Sequence, residues 1–371
     1  MGDWAGFVIP LKDISVSGMK FAWLHNTKAR GAGSCTAAEH LCNRSLNFMQ
    51  RRIFLAAPAS IALASPAFGQ AWPNRQPIRL IAGFPAGGLA DAIGRLFAAP
   101  LGDALGTSVV VENRAGASGT IGADAVAKAA PDGLTLGVSH AIPFGFAPGV
   151  LPSIHYDPVA DFTHIAMLAE APTISVVRAN SPFASMQALI AAARTRPVRF
   201  GTSGVGSAEH FSGALLARAT GAAQLDHIPY RGTAPALQDL LAGQIDMLNA
   251  PITTLVGQLR DGSLRMLATS SEARVSGFPD VPTLAELGAP QATHTQWIGL
   301  SGPRGLPAPI LERLAAAIPP IARSDAVQAR LVEFASTPRS PTPAGADFSG
   351  FVASFRDHWV AMAHAEGIVA S

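Results

Sequence analysis

The chain has 371 residues, of which 49% are hydrophobic and 14% charged, with a formal net charge of +2 at neutral pH. That length accommodates two α/β domains, and so small a charge is no footprint for nucleic acid. Both cysteines, Cys35 and Cys42, lie within the first 69 residues, so a core downstream of them has neither a disulfide nor a thiol to use.

In chain order, the first feature is "MQRRIFLAAPASIALASPAFGQ", Met49 to Gln70. Its charged start, apolar centre and small-residue ending at Ala67-Phe68-Gly69 read as a signal peptide over 49–69, with a mature start near Gln70. Arg51-Arg52 before Phe54-Leu55 fits the twin-arginine route as well as the Sec route. Residues 1–48 show no sustained period and read as a non-native or disordered extension. Segment 1–69 holds seven basic and three acidic side chains; without it 20 basic face 22 acidic residues, and the formal charge becomes −2.

Beyond Trp72, strand-like runs alternate with helical ones, which predicts α/β architecture. Ile78–Ala82 is a strand, and Leu89–Leu105 a helix that Pro100 should kink or end early. Strands at Ser108–Glu112 and Leu134–Val138 flank a short helix after Gly116, and 140–162 reads as loop. A second series follows, with strands at Ile174–Val177, Val198–Thr202, Ile245–Leu248 and Arg265–Thr269. Its helical patterns cover Met186–Arg196, Ser207–Thr220, Ala234–Ala242 and Ile252–Arg260. A strand at Thr295–Leu300 and helices at Ala308–Arg323, Asp325–Glu333 and Asp347–His364 finish the chain.

Each series runs a strand into a glycine-rich turn before a helix, at Phe84–Asp91 and at "GTSGVGSAEH", Gly201 to His210. In the first turn Gly87 and Gly88 bare the backbone amides, the helix start adds partial positive charge, and Asp91 is placed to bond first-turn amides. The same glycines equally suit a tight connection that needs them only for φ. In the second turn Thr202, Ser203 and Ser207 supply hydroxyls, and Ser207 is also a good N-cap. Neither turn is a P-loop or a G-x-G-x-x-G, so no nucleotide or other cofactor is expected. No G-x-S-x-G elbow occurs, and the histidines show no metal-binding spacing.

Six segments in order, "PIRLIAGFPAGGLAD", "VVVENRAGASGTIGADAVAKAAPDGLTL", "YDPVADF", "GTSGVGSAEHFSGALL", "IPYRGTAPALQDLLAGQIDM" and "FPDVPTLAELG", resemble the tripartite tricarboxylate transporter substrate-binding proteins, the Bug or TctC-like family. The likeness runs from about Trp72 to the C-terminus. It implies a periplasmic-binding-protein-like fold, two α/β lobes around a central ligand cleft, with lobe 1 at 70–171 plus 296–371 and lobe 2 at 172–295. Trp297 would lie near the hinge. The resemblance further implies that the two turns hold a ligand carboxylate through backbone amides. Those positions are Phe84, Pro85, Ala86, Gly87, Gly88 and Asp91 in one lobe, and Thr202, Ser203, Gly204, Val205, Gly206 and Ser207 in the other. Side-chain discrimination is expected in loops 139–156 and Asp246–Thr254, and His140, His210 and Asp246 are further candidates for contact. Leu89-Ala90 departs from the family, which often has a hydroxyl or proline there, and Ala115 stands where proline is common.

The implied function is an exported, periplasmic, monomeric solute-binding protein without catalytic or metal residues. It would deliver a small carboxylate to membrane transporter subunits or to a sensor protein. The rival readings are an α/β enzyme with Ser207 and His210 as its reactive pair, and a ligand-sensing partner of a membrane kinase.

Overall fold

The computed structural model describes residues 72–275, 277–337 and 342–368. The expected leader at 49–69, the segment 1–48 and the mature start at Gln70 lie outside them. Strand β1 (Ile78–Ala82) buries every side chain but Arg79, as a strand covered on both faces does. It runs parallel to its two neighbours, β2 (Val109–Asn113) and β3 (Thr135–His140).

Helix α1 (Leu89–Leu105) and helix α2 (Thr120–Ala127) make the crossovers between these strands. α1 continues through Pro100 rather than ending early there. Its buried stripe, which includes Ile93, Phe97, Leu101 and Leu105, continues on both sides of the proline, and that tertiary packing outweighs the lost hydrogen bond. The helix stops at Gly106, which takes the left-handed conformation (φ 73°) and returns its N–H to Asp103 and Gly102.

Strand β4 (Phe162–Arg178) has 17 residues, so it spans about 55 Å. From Phe162 to Pro172 it pairs antiparallel with β9 (Thr295–Pro303), which also pairs with β3. From Thr173 onward its neighbours are β7 (Met247–Pro251) and β8 (Leu264–Thr269). β5 (Val198–Thr202) lies parallel between β7 and β6 (Leu225–Pro229). One strand therefore belongs to two sheets, and the connected order is β2-β1-β3-β9-β4-β7-β5-β6 with β8 beside β4.

The sequence reading finds only the last part of β4 and misses β6. Phe162–Pro172 buries residues on both faces, so it lacks the alternation that marks a half-exposed strand. Pro172, without an N–H, sits where β4 changes partners.

Helices α3 (Met186–Ala193), α4 (Ala208–Thr220), α5 (Thr233–Ala242) and α6 (Val256–Arg260) cover the second sheet. The chain then adds α7 (Ala308–Ala322), α8 (Asp325–Glu333) and α9 (Gly345–Ala365). The main apolar core is continuous between the parts built on the two sheets. Phe146, in the turn after β3, packs against Phe211 of α4 (5.1 Å between ring centroids) and Trp359 of α9 (4.4 Å). Trp297 is fully buried among Phe144, Phe348, Phe351 and Phe355.

Burial holds three histidines of this core neutral, His140 at about 3 and His164 and His294 at about 4, all from an ordinary value of 6.5. A depressed pKa contributes stability that is present above 6.5 and lost as pH falls toward the folded value. Each histidine then costs about 1.4 kcal/mol per pH unit across that window. The thermal midpoint should therefore fall steadily from pH 7 to pH 4.5 in calorimetry; a flat midpoint would show that these imidazoles are not buried neutral.

Candidate ligand-binding site

After β1 the chain turns through Phe84–Gly88 into α1, with Gly87 in the left-handed region (φ 81°). Asp91 reaches back to close this turn. Its Oδ2 accepts from the Gly87 N–H (2.9 Å), and its Oδ1 accepts from Arg95 Nε (2.9 Å) and Asn113 Nδ2 (2.9 Å). Asn113 Nδ2 also donates to the Phe84 carbonyl. Burial by itself would raise the Asp91 pKa, but the bonds from Arg95, Gly87 and Asn113 outweigh it and hold the carboxyl below its usual value.

Asp91 thus shapes the turn, and it is absent from the cleft lining. The Gly87 amide is committed to it, and the Gly88 amide donates to the Pro85 carbonyl (3.2 Å). Gly88 is the N-cap of α1 and offers no capping side chain. The donors left without an acceptor in the helix are the first-turn amides of Leu89, Ala90 and Asp91. They lie one step beyond the two glycines singled out from the sequence.

The second turn divides in a similar way. Ser207 is fully buried, and its Oγ caps the His210 amide (3.2 Å). The Gly206 amide donates to His210 Nδ1 (3.3 Å), and the His210 ring stacks on His227 at 4.0 Å. His227 Nε2 in turn bonds Thr202 Oγ1 (2.7 Å). Thr202, Gly206, Ser207 and His210 are therefore the frame of the turn, outside the cleft. Ser203 lines the cleft, while Gly204 and Val205 face an adjoining outer cavity. Asp246 lies in neither; its carboxylate accepts from the Arg199 amide (2.9 Å) and ties the approach of β7 to β5.

The cleft holds about 630 Å³, part of it open to solvent. One wall is Phe84–Leu89 with His140 and Ile142; the other is Ser203, Glu209, Gly232–Ala234, Leu237, Pro251 and Thr254, with Gln296 completing the lining. Gly232 is the N-cap of α5 and, like Gly88, carries no capping side chain. With Pro235 lacking an N–H, the Thr233 and Ala234 amides are the free donors of that helix end. Two uncapped helix N-termini, that of α1 after the first glycine turn and that of α5 after β6, thus open on a single cleft that contains no arginine or lysine in its lining.

His140 completes the donor set. Its Nδ1 accepts from the Ile142 amide (3.1 Å), so the neutral ring carries its proton on Nε2. Its ring also packs on Phe84 (4.9 Å).

Two contacts join the two sides where this space meets its outer neighbour. Gly232 meets Pro85 so closely that a Cβ there would lie 3.1 Å from the proline ring. Ser118 Oγ donates to the Val205 carbonyl across the opening (2.6 Å). Beyond these contacts lies the outer cavity, lined by Ala115–Gly119, Leu151, Ser153 and Pro229–Gly232.

The sequence reading misses Glu209, Gln296 and the α5 helix end. "RGTAP" did carry a signal for the last, a glycine before a proline-containing first turn with no capping side chain. Glu209 and Gln296 carry no such signal, because only the fold turns them inward. Among the described residues no group of three or more His, Cys, Asp or Glu is placed to hold a metal, and no helix is long and apolar enough to cross a membrane.

The family model described as "Tripartite tricarboxylate transporter family receptor" matches residues 93–362. Protein BugT of Bordetella pertussis is 37% identical over 314 residues, covering 83% of this chain and 94% of its own length. Among solved structures, MatC from Rhodopseudomonas palustris with bound malate has 32% identity and a TM-score of 0.72, covering 76% of this chain and 97% of that one. Periplasmic binding protein BugD has 29% identity and a TM-score of 0.75, with 79% and 99% covered. An R. palustris protein with adipate has 32% identity and a TM-score of 0.74, with 81% and 100% covered. The fold is that of the periplasmic binding proteins, and the chain belongs to the tripartite tricarboxylate transporter receptor family, that of the Bug and TctC solute-binding proteins.

Proposed function

We propose that this protein is exported to the periplasm and, as a monomer, captures a small carboxylate-bearing solute between two lobes, 70–171 with 296–371 and 172–295. It hands the solute to the membrane subunits of a tripartite tricarboxylate-type transporter or to a sensor protein. The observation that carries this reading is the convergence of the α1 and α5 N-termini on one cleft. Amides bonding a carboxylate contribute about 1.5–3 kcal/mol each. A few of them, after the cost of association, support micromolar binding at about −8 kcal/mol. The malate and adipate bound in two structural neighbours suit the same reading.

Binding without turnover fits the polar groups available. In the rival enzyme reading Ser207 would be the nucleophile and His210 its base. The Ser207 hydroxyl instead caps the His210 amide, and the imidazole Nδ1 accepts from Gly206.

A thermal-shift series with malate, succinate, adipate and their carboxamides tests the function. At 100 times its Kd an acid should stabilise the protein by about 2.7 kcal/mol, the carboxamides should give little shift, and the acid should be recovered unchanged. Equal binding of acid and carboxamide would refute the carboxylate site; conversion of the acid would favour the enzyme.

Two serines separate lining from frame. Ser203→Ala should weaken acid binding by roughly 10-fold or more, the value of a bond to a charged partner. Ser207→Ala should instead lower stability by about 1 kcal/mol, as a lost cap does, with little change in affinity. Ser118→Ala removes a contact across the opening and should speed ligand release about 5-fold in stopped-flow measurements, corresponding to about 1 kcal/mol. Unchanged release would mean that this bond plays no part in closure.

A further inference from the structure

Glu209 is a fully buried carboxyl on the first turn of α4, in the wall of a cleft whose lining has no cationic side chain. We propose that Glu209 is a protonated acid whose Oε2–H donates to the bound carboxylate, so that a proton on the protein takes the place of an arginine or lysine. This rests on the reading of the cleft as a carboxylate site and adds a specificity-determining residue to it.

A chain of hydrogen bonds fixes which oxygen is free to carry the proton. His294 Nδ1 lies 2.9 Å from the Ala292 carbonyl, so its proton is there and its Nε2 is an acceptor. Thr173 Oγ1, 3.2 Å away, must then donate to Nε2 and accept from Gln296 Nε2 (2.9 Å). The same amide nitrogen donates its second hydrogen to Glu209 Oε1 (3.0 Å). Oε1 is therefore an acceptor. Oε2 lies 3.0 Å from Ser203 Oγ, a hydroxyl that rotates to give or receive and that itself lines the cleft.

Among the described residues, no charged group compensates Glu209. The α4 turn contributes the hydroxyls of Ser203 and Ser207 and Glu209's own amide. Strand β9 contributes Gln296, and β7 contributes Asn249, which bonds the Glu209 carbonyl (3.1 Å) and is held by Ser175 of β4 (2.7 Å). The titratable neighbours are His140, in the same lining, and His294, reached through Thr173 and Gln296; burial keeps both neutral. An ionised, unpaired carboxylate here carries a heavy desolvation cost. Burial raises the Glu209 pKa, and the bonds from its own amide, Gln296, Ser207 and Ser203 offset that only in part.

A ligand ammonium is the other partner a buried acid could await. It would enter a cleft flanked by two positive helix ends and the His140 Nε2–H, all of which favour anions. Gln296 Oε1 is a buried acceptor without a donor, and it is sealed from solvent.

Infrared difference spectra of the ligand-free full chain, wild type minus Glu209→Gln, should show the C=O stretch of a protonated carboxyl at pH 7. Malate affinity of the wild type should then fall as rising pH ionises Glu209, approaching 10-fold per pH unit. Glu209→Gln, which keeps an N–H donor but cannot ionise, should show a flat pH profile. Absence of the band, or a parallel pH profile in both proteins, overturns the proposal. Aspartate binding wild type more than 10-fold tighter than malate, with the preference lost in Glu209→Gln, overturns it in favour of the ammonium partner. Failure of malate, succinate and adipate to bind either protein, with the band present, overturns the carboxylate site itself and this proposal with it. If Glu209→Gln does not fold cooperatively, the wild-type carboxyl band followed against pH and its shift on adding malate decide the matter, and no shift overturns the proposal.

Discussion

The geometry of this protein follows from β4 being shared between two sheets. A strand that pairs with β9 through Pro172 and with β7 and β8 from Thr173 fixes the position of one sheet relative to the other without a flexible linker. β3 and β7 are each held in place, directly or through β9, by this shared strand. The residues that follow them, His140 with Ile142 and Pro251 with Thr254, consequently line the same space. Aromatic packing through Phe146, Phe211 and Trp359 continues the apolar core between the two parts. The cleft is thus a gap in an otherwise continuous structure, and its width depends on how far β4 and the aromatic cluster bend.

Within that gap the chemistry is economical in charge. Capping side chains are withheld at Gly88 and Gly232 and supplied at Ser207. A capped helix end has spent a donor on its own protein, whereas an uncapped one keeps it for a ligand. The α4 N-terminus is capped because its role is to present Glu209 and brace the turn, while α1 and α5 are left open. Asp91 and Asn113 show the complementary device, acids and amides used to hold a glycine turn in shape so that the next amides point outward.

Much of this was legible in the residues, and the losses have physical causes. Strand β1 and helix α1 are readable because the apolar pattern changes period between them and Gly106 supplies the left-handed stop. The glycine turns are legible as features, yet the division between lining and frame is not. Ser203 and Ser207 are the same residue type four positions apart, and only the fold decides that one faces the cleft and the other the backbone. The first part of β4 is hidden because burial on both faces erases alternation. Glu209 is hidden for a different reason: a glutamate in a helix's first turn ordinarily complements the helix dipole in water, and nothing local distinguishes this buried one. The family resemblance located the turns but could not make that distinction, since it assigns positions and not orientations.

The lack of a fixed cation in the cleft lining has a consequence for how the site responds to salt. Attraction between full charges reaches across about 10 Å at 0.1 M salt and shrinks as salt rises. Helix-end amides and hydroxyls act within hydrogen-bond distance, where mobile ions cannot intervene. A receptor built this way trades fast electrostatic gathering of its solute for a grip that changes little when the surrounding medium turns from dilute to saline. Selectivity then rests on shape and donor placement.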